Sequence, residues 1–314
     1  MNIVVKQYKP EQKAVWNEFL QSARNATFLF DRNYMDYHSE RFHDFSLMFY
    51  NDDKLIALLP ANRDRNCLYS HQGLTYGGLV TSVKATTAIV LEIFEQLNVF
   101  LRKCHVEKVV YKAIPWIYHS VPAEEDLYAL FKVCHAHLVS RDISSSINML
   151  HKVKWHHGRK YGINRCINNG VRIEVEDKYL ANFWTVLTDN LQVCYGVHPV
   201  HTLEEIKLLK DRFPEQIKLY SAVKAEKVIG GVLLYLTPQV VHTQYISASP
   251  EGKHLGAIDA IINRIINEDY TDIPYFDFGK STEQGGQYLN DSLIWQKEGF
   301  GARGMCYDCY EWYL

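Results

Sequence analysis

The chain has 314 residues, enough for two domains, and its 34 Lys and Arg nearly balance its 36 Asp and Glu, for a formal net charge of −2. This balance excludes a protein coated in positive charge for nucleic-acid binding, although a local basic stripe remains compatible with it. With 47% hydrophobic and 22% charged residues, the composition is globular and excludes a disordered chain.

The first half of the chain predicts a mixed α and β unit. In chain order we expect a helix, three strands, a long helix and a further strand, over residues 10–23, 45–50, 54–59, 66–80, 85–104 and 107–111. The long helix has apolar residues at the spacing of a buried stripe, namely Val90, Ile93, Phe94, Leu97 and Leu101.

The second half repeats this order. We expect two helices, three strands, a long helix and a strand, over residues 180–193, 203–212, 217–223, 227–232, 240–248, 255–270 and 275–278. Lys227-Val228-Ile229 follows a short turn as Lys54-Leu55-Ile56 does. The prediction is an α+β fold used twice, with a first domain over 1–150, a linker over 151–172 and a second domain over 173–314.

The segment between the two copies is basic. Residues 150–173 contain no acid before the strand that follows, but hold Lys152, Lys154, Arg159, Lys160, Arg165 and Arg172. One interpretation is a solvated, partly helical linker. The other is a basic edge that faces an anionic substrate across the domain cleft.

The seven cysteines are scattered, so no disulfide framework is indicated and we expect a cytoplasmic protein. Only Cys306 and Cys309 have metal-like spacing. They lie in a strand-like stretch where residues three apart point to opposite faces, and we expect no metal. No apolar run approaches the length of a membrane span, and the start of the chain has no signal-peptide core.

Three stretches then indicate a family. Arg159–Val171, a basic segment leading into a Gly-Val strand, Tyr275–Ser281 with its Phe-Asp-Phe-Gly strand end, and Leu289–Gly301 with a Lys-x-x-Phe-Gly turn resemble tandem acyltransferases of the GNAT superfamily. The similarity is greater to the Fem-type branch, whose members add amino acids to cell-wall precursors, and to GNAT-type relatives from bacterial surface-polysaccharide gene clusters. It implies two GNAT-like domains, each a mixed, mostly antiparallel sheet flanked by helices.

The resemblance also implies a donor site in the second domain. In GNAT-like folds the donor's pyrophosphate lies on the loop before the long helix, where free N–H groups bind anions. Here that loop suggests Gly252, Lys253, His254 and Gly256 as donor-binding residues. The sequence departs from the family pattern at Glu251, where Arg or Gln is usual, and at His254, where Gly is usual. An ordinary Pro-Gly turn is the alternative.

For the catalytic centre, the resemblance suggests Lys297, Asp277 and Tyr288. Many GNAT enzymes use a Tyr as general acid. The corresponding position in this sequence is occupied by Trp295, and an indole N–H is not an acid at neutral pH. A Lys in the Fem-type turn is functionally important, and Lys297 keeps it. Asp277 is a candidate base, or alternatively caps the next turn. Lys297 is otherwise a surface residue at a helix end.

For acceptor contacts we expect Tyr76, Gly77, Tyr118 and His119, in the cleft between the domains. The alternative is that these aromatic residues belong to the core. A single histidine such as His119 or His242 is more often structural than catalytic.

Three functions remain open at this point. The first is an N-acyltransferase that moves an acyl group from acyl-CoA to an amine on a small molecule, an amino sugar of surface-polysaccharide synthesis. The second is a Fem-type transferase that uses aminoacyl-tRNA, and we expect no nucleic acid other than tRNA as a partner. The third is a non-catalytic GNAT-like module that binds a nucleotide-sugar or a protein.

Overall fold

The computed structural model describes residues 2–314, apart from the side chain of Tyr195. The chain forms two compact units, each of which is discontinuous in sequence. The first comprises the chain up to Ile143 together with Thr282–Tyr288 and Cys306–Leu314, and the second comprises Ser144–Ser281 and Leu289–Met305.

The first unit combines short strands with one long helix. Its elements in chain order are β1 Ile3–Gln7, α1 Lys13–Ser22, α2 Arg32–Met35, β2 Leu47–Asn51, β3 Lys54–Leu59, β4 Asn62–Asp64, β5 Cys67–Tyr69, β6 Val80–Thr81, α3 Thr87–Lys103, β7 Lys108–Lys112 and α4 Glu125–Lys132. An antiparallel sheet has the order β1-β2-β3-β6, and β5 pairs with β4 on one side and β7 on the other.

Helix α3 supplies one wall of the first core. The predicted stripe is confirmed: Val90, Ile93, Phe94, Leu97 and Leu101 are all buried. They pack with residues of the sheet strands such as Leu47, Phe49 and Val109. The apolar stripe alone therefore determined which face of this helix is buried.

The remaining elements belong mostly to the second unit. After β8, His137–Asn148, they are α5 His157–Asn168, β9 Arg172–Glu174, α6 Leu180–Tyr195, α7 Leu203–Arg212, β10 Ile217–Lys224, β11 Lys227–Leu236, β12 Val240–Ala248, α8 Pro250–Leu255, α9 Ala257–Arg264, β13 Tyr275–Lys280, β14 Thr282–Glu283, β15 Tyr288–Leu289, α10 Asp291–Glu298 and β16 Arg303–Tyr313. Strand β14, Tyr288 of β15 and β16 from Cys306 onward belong to the first unit, and β8, β15 and β16 each have residues in both units.

The sheet of the second unit is mixed, in the order β8-β13-β12-β11-β10-β9. The pair β12–β13 is parallel, and its other pairs are antiparallel. Gly231 of β11 lies against Phe183 of α6, whereas the next residue, Val232, belongs to the core with Ile261 and Ile262 of α9. Because neighbouring strand residues point to opposite faces, α6 and α9 cover opposite faces of the sheet.

Each unit contains a β-hairpin, β2–β3 in the first and β10–β11 in the second, and both hairpins have the same irregularity. Lys54 pairs with Asn51 after the turn, and a bulge leaves Ile56 without a partner between Leu55 and Ala57. Lys227 pairs with Lys224, and a bulge leaves Ile229 in the same place. This agreement supports the sequence-based match of the two segments, and the expected mixed, mostly antiparallel α+β fold is confirmed.

Three predicted segments differ from the structure. The strand expected over 66–80 is limited to β5 and β6, with irregular chain between them. The segment expected as a linker forms α5, whose Cys166 is buried in the core of the second unit. The long helix expected over 255–270 is interrupted at Gly256, which has a left-handed φ of 77°. In addition, the first segment of the first unit ends at Ile143, before the expected end of the first domain at residue 150.

Candidate active site

Strands β12 and β13 place a histidine beside a carboxylate. They run parallel and pair at three positions, of which the last joins His242 to Asp277. Val241, Phe276 and Phe278 belong to the core beside α9. His242 and Asp277 therefore point to the opposite face of the sheet, the face that α6 covers.

Asp277 is fully buried and lies at the centre of a hydrogen-bond network. Its carboxylate accepts from Ser144 Oγ at 2.5 Å, Ser146 Oγ at 2.8 Å and His242 Nδ1 at 2.9 Å. Burial alone would raise the pKa of Asp277, but His242 and the two serines hold it at about 2. An ionised Asp277 fixes the proton of His242 on Nδ1, so a neutral His242 presents the lone pair of Nε2.

Lys297 lies in the last turn of α10 and is only 6% exposed. Its Nζ donates to the carbonyl oxygens of Gly279 at 2.8 Å and Lys280 at 2.7 Å. Burial lowers the pKa of Lys297 to about 8, and the charge of Asp277 opposes this effect. An ammonium group has three N–H donors, so one remains for a ligand.

Gly279 brings these groups to one place. It has a left-handed φ of 75°, and a Cβ at this position would lie 3.3 Å from Cε1 of His242. Its carbonyl accepts from Lys297, as described above. The end of β13 therefore combines an Asp–His pair, which is suited to proton transfer, with a buried cation, which is suited to stabilising a developing oxyanion.

Arg159 of α5 supports the helix turn that presents Lys297. Its Nη1 donates to Asp259 Oδ1 at 2.8 Å, and its Nη2 donates to the carbonyl oxygen of Gln296 at 2.7 Å. Its guanidinium also lies 4.1 Å from the centre of the Phe300 ring. Arg159 thus ties the segment expected as a linker to the residue before Lys297.

The start of α8 has few free N–H groups for an anion. Ser249 caps this helix, accepting from Gly252 N through Oγ and from Lys253 N through its carbonyl oxygen. Pro250 has no N–H. The donors that the GNAT resemblance assigns to a pyrophosphate are therefore largely used within the protein.

The predicted donor-binding glycines pack against protein. A Cβ at Gly252 would lie 2.0 Å from the carbonyl oxygen of Ile229, and one at Gly256 would lie 2.5 Å from that of Gly162. His254 is exposed. The close approach of backbone to backbone gives both glycines a packing role, and their contact with a donor stays a prediction.

Lys253 differs from its neighbours because it lines a cavity of about 530 Å³. The cavity lies between α6, the β10–β11 turn and the start of α8. Lys253 Nζ donates to Asn190 Oδ1 of α6 at 2.5 Å. Of the four predicted donor-binding residues, Lys253 is the one whose side chain is placed for a ligand.

The predicted acceptor residues lie in the first unit. Tyr76 and Tyr118 are buried and their ring centres are 4.6 Å apart, so the structure brings these two together. A Cβ at Gly77 would overlap the carbonyl oxygen of Ser70. Burial lowers the pKa of His119 to about 4. These residues are packed into the unit, and an acceptor contact stays a prediction.

Two further residues near the predicted catalytic motif are exposed. Tyr288 belongs to the first unit, whereas Asp277 and Lys297 belong to the second. Trp295, at the position of the expected Tyr, faces an open groove of about 670 Å³ that Arg159 and Gln296 also line. Neither residue contributes to the Asp277 network.

Sequence patterns did not distinguish His242 from a structural histidine, and they did not select Ser144 or Ser146. The Ser144-Ser145-Ser146 run in a strand was the available signal, because alternate serines share a face. The pairing of His242 with Asp277 gave no local signal, because 35 residues separate them.

Within residues 2–314, no group of three or more His, Cys, Asp or Glu side chains is placed to hold a metal ion. Across the same residues, no helix combines the length and the apolarity that crossing a membrane requires.

No protein-family model matches the chain, and no curated protein matches it. Solved structures do. The structure of FemX is similar with a TM-score of 0.70 at 8% identity, over 100% of this chain and 98% of that one. The C-terminal domain of a putative lysylphosphatidylglycerol synthetase from Agrobacterium fabrum gives a TM-score of 0.61 at 10% identity, over 96% of this chain and 92% of that one.

A tandem GNAT protein from the clavulanic acid biosynthesis pathway gives a TM-score of 0.51 at 8% identity, over 99% of this chain and 98% of that one. At these identities the similarity concerns the fold. It agrees with the duplicated hairpins and the mixed sheets described above. The chain therefore has a tandem GNAT, Fem-like fold.

Proposed function

We propose that the protein is an N-acyltransferase that moves an acyl group from an activated carrier to an amine. The observation that supports this most is the cluster at the end of β13, where the buried Lys297 amine and the His242–Asp277 pair both adjoin Gly279. Acyl transfer to an amine needs a proton acceptor and a donor for the oxyanion, and the cluster has one of each.

In the proposed reaction, one proton moves from the acceptor amine to the leaving group through His242. Nε2 of His242 takes a proton from the acceptor amine, whose nitrogen forms a bond to the acyl carbon. The carbonyl oxygen becomes an oxyanion, which the free N–H of Lys297 stabilises. The bond from the acyl carbon to the carrier's sulfur or oxygen then breaks, and the proton on His242 passes to that leaving atom. Asp277 holds the imidazole in the required tautomer throughout.

The first candidate donor is acyl-CoA, with an amino sugar of surface-polysaccharide synthesis as the acceptor. The GNAT-like fold supports it, because a thioester is an activated carrier for this chemistry. Lys253 would meet an anionic part of the donor at the α6–α8 cavity. The cytoplasmic setting expected from the sequence is compatible with this donor.

A second candidate donor is aminoacyl-tRNA, and the start of α8 favours it. Ser249 occupies the N–H groups of Gly252 and Lys253, and Pro250 has none, so a CoA pyrophosphate would find few donors there. An aminoacyl ester does not depend on a pyrophosphate site. On the exposed side of α5, Lys160 and Arg165 offer charge to a phosphate backbone.

A binding screen followed by a transfer assay tests the proposal. Thermal shifts with CoA, acetyl-CoA, UDP-sugars and tRNA identify the ligand, because a molecule bound only by the native state raises its stability. The donor that binds is then incubated with amine acceptors, and mass spectrometry detects the new amide. We expect Asp277→Asn to lose roughly 100- to 10,000-fold in rate, because the variant no longer fixes the proton of His242 on Nδ1 and so loses the contribution of a positioned base.

Ser145→Ala is the control, since Ser145 lies between the two serines that contact Asp277 and its own hydroxyl makes no hydrogen bond. It should transfer at the parental rate. Binding of a UDP-sugar with no transfer from any donor would refute the enzymatic proposal and support a non-catalytic binding module. Equal rates for Asp277→Asn and the parent would place the chemistry elsewhere.

A further inference from the structure

One face of α6 packs into the core, and another face of the same helix borders the cavity. Helix α6 packs Phe183, Trp184 and Leu187 into the unit. A second face of the same helix, which includes Val186, Asp189, Asn190 and Val193, borders the cavity at the three- and four-residue spacing of one helical stripe. Its volume of about 530 Å³ is in the range of small-molecule sites.

Asp189 of α6 and Lys253 of α8 bring opposite charges to this cavity. Asn190 holds the Lys253 ammonium at 2.5 Å, and the preceding residue, Asp189, contributes a carboxylate. Among residues 2–314, Asp189 has no ion-pair partner. Glu226 also borders the cavity, but its carboxylate pairs with Arg172 at 2.7 Å. Asp189, Lys253 and the exposed Lys227, which also borders the cavity, are therefore the charges available to a ligand.

The floor of the cavity is apolar, whereas Asn182, Thr185 and Ser249 add polar groups to its lining. Val228 and Ala248 form a buried floor, and Val186 and Pro250 flank it. A purely apolar ligand would desolvate the Asp189 carboxylate and the Lys253 ammonium without pairing them. A phosphate or another polyanion would be repelled by Asp189. The cavity instead suits a ligand whose positive and negative groups are attached to one carbon, together with an apolar body.

We propose that this cavity binds a free α-amino acid with a large apolar side chain, such as leucine. Its ammonium pairs with Asp189, its carboxylate pairs with Lys253, and its side chain lies on Val228 and Ala248. The proposal does not depend on the Asp277 network, to which none of these residues belongs. It is an alternative to the acyl-CoA candidate, which would use Lys253 in the same cavity.

Isothermal titration with three related probes tests the charge assignment. L-leucine has both charges, N-acetyl-leucine lacks the ammonium, and leucinamide lacks the carboxylate. We expect L-leucine to bind at least about tenfold more tightly than either analogue, because a charge-assisted hydrogen bond contributes on that scale. No binding of L-leucine at millimolar concentration, or equal affinity for all three probes, would overturn the proposal.

Two variants separate the contacts. Asp189→Asn should abolish the preference for L-leucine over N-acetyl-leucine but keep the preference over leucinamide, and Lys253→Met should do the reverse. Asp211→Asn, on an exposed position of α7, is the matched control and should bind all probes as the parent does. If both cavity variants keep the parental preferences, leucine binds elsewhere and the assignment fails.

Cys194 gives an independent readout of occupancy. Its thiol borders the cavity, 4.0 Å from Lys253 Nζ, and is exposed. L-leucine should slow the labelling of Cys194 by a thiol reagent and leave the labelling of the exposed Cys306 unchanged. Unchanged labelling of Cys194 at a saturating leucine concentration would contradict the location. Lys297→Ala should retain leucine binding, so this test and the transfer assay fail separately.

Discussion

Lys297 differs from the other buried lysine of the second unit in how its charge is compensated. Lys210 Nζ donates to the carbonyl oxygen of Ile217 at 2.8 Å and lies 2.9 Å from the carboxylate of Asp177. Lys297 has two carbonyl contacts and no carboxylate at ion-pair distance among the residues described. A buried cation without a direct counter-ion costs stability, and such positions are concentrated at functional sites.

We therefore expect Lys297→Ala to fold, to bind donor, and to lose turnover by at least about 100-fold, since loss of an oxyanion-stabilising group costs about 100- to 1000-fold. Steady-state rates of the purified variant measure this. Lys210→Ala removes a buried lysine with a structural pairing and should lower the melting temperature with little change in turnover. Similar turnover losses in the two variants would assign Lys297 a structural role.

The pKa of Lys297 predicts an alkaline limit to activity. The folded pKa of about 8 lies below the ordinary value of 10.5, so the amine loses its proton as the pH rises through 8. The rate should fall about tenfold per pH unit above this value, because the neutral amine no longer offers a cation to the oxyanion. Unfolding does not explain such a fall: between pH 8 and 10.5 the unfolded state binds more protons, so this group's contribution to stability rises.

A pH–rate profile from pH 6 to 10 checks this limit. Lys297→Arg is the informative variant, because a guanidinium keeps its charge over the whole range. If it retains measurable turnover, its alkaline fall should disappear. A parental profile that stays flat to pH 10 would contradict a catalytic cation at Lys297.

At the scale of the elements, the break between α8 and α9 depends on contact between two helices. Gly256 ends α8 in a left-handed conformation, and its Cα faces the backbone of Gly162 in α5. The neighbouring Arg159–Asp259 ion pair also joins α5 to α9. The glycines allow α5 to approach the break closely, and this approach places Arg159 beside the turn of Lys297.

We expect Gly256→Ala to lower the free energy of unfolding by about 2–5 kcal/mol, because the left-handed φ costs about 1–2 kcal/mol and the overlap with Gly162 adds about 1–3 kcal/mol. Gly170→Ala is the matched control. Its φ is 69°, but no atom lies within 4 Å of the added Cβ, so only the conformational cost applies. Urea titrations compare the two, and equal losses would show that the contact with α5 is unimportant.

At the scale of the whole molecule, the end of the chain completes the first unit. Trp312 of β16 is 2% exposed, and its Nε1 donates to Asn98 Oδ1 of α3 at 3.0 Å. Its ring packs near Phe94 and Tyr111, with centroid distances of 6.2 Å to each. We therefore expect that this core does not form from the first 150 residues alone.

Trp312→Ala should therefore destabilise the first unit by about 3–5 kcal/mol, the usual cost of removing a buried tryptophan. Tyr313→Ala, at the adjacent exposed position, should change stability by less than about 0.5 kcal/mol. A fragment of residues 1–150 should lack a cooperative thermal transition by circular dichroism. Cooperative unfolding of that fragment would show that the first unit does not need the terminal strand.

Local sequence patterns determined the elements whose signals are short-range. The strands Lys54–Leu59 and Val240–Ala248 and the helix Leu203–Arg212 have the predicted bounds, because strand alternation, turn residues and the Thr202 capping box act within a few residues. The same patterns revealed the repeated order of elements. Lys297 and Asp277 were selected by the family resemblance and not by these patterns.

Only the tertiary structure decided how distant segments meet. The His242–Asp277 pair depends on β12 and β13 being neighbours, and the burial of Lys297 depends on α10 packing beside the end of β13. The sequence predicts Gly256 within a helix, whereas in the structure it ends α8 and lies against α5. The sequence likewise gives no sign that Trp312, near the last residue, is buried in the first core. Such contacts form between residues far apart in the chain, where the net gain from burial and pairing exceeds any local preference. Local patterns thus determined most of the elements, and packing determined which side chains form the candidate site.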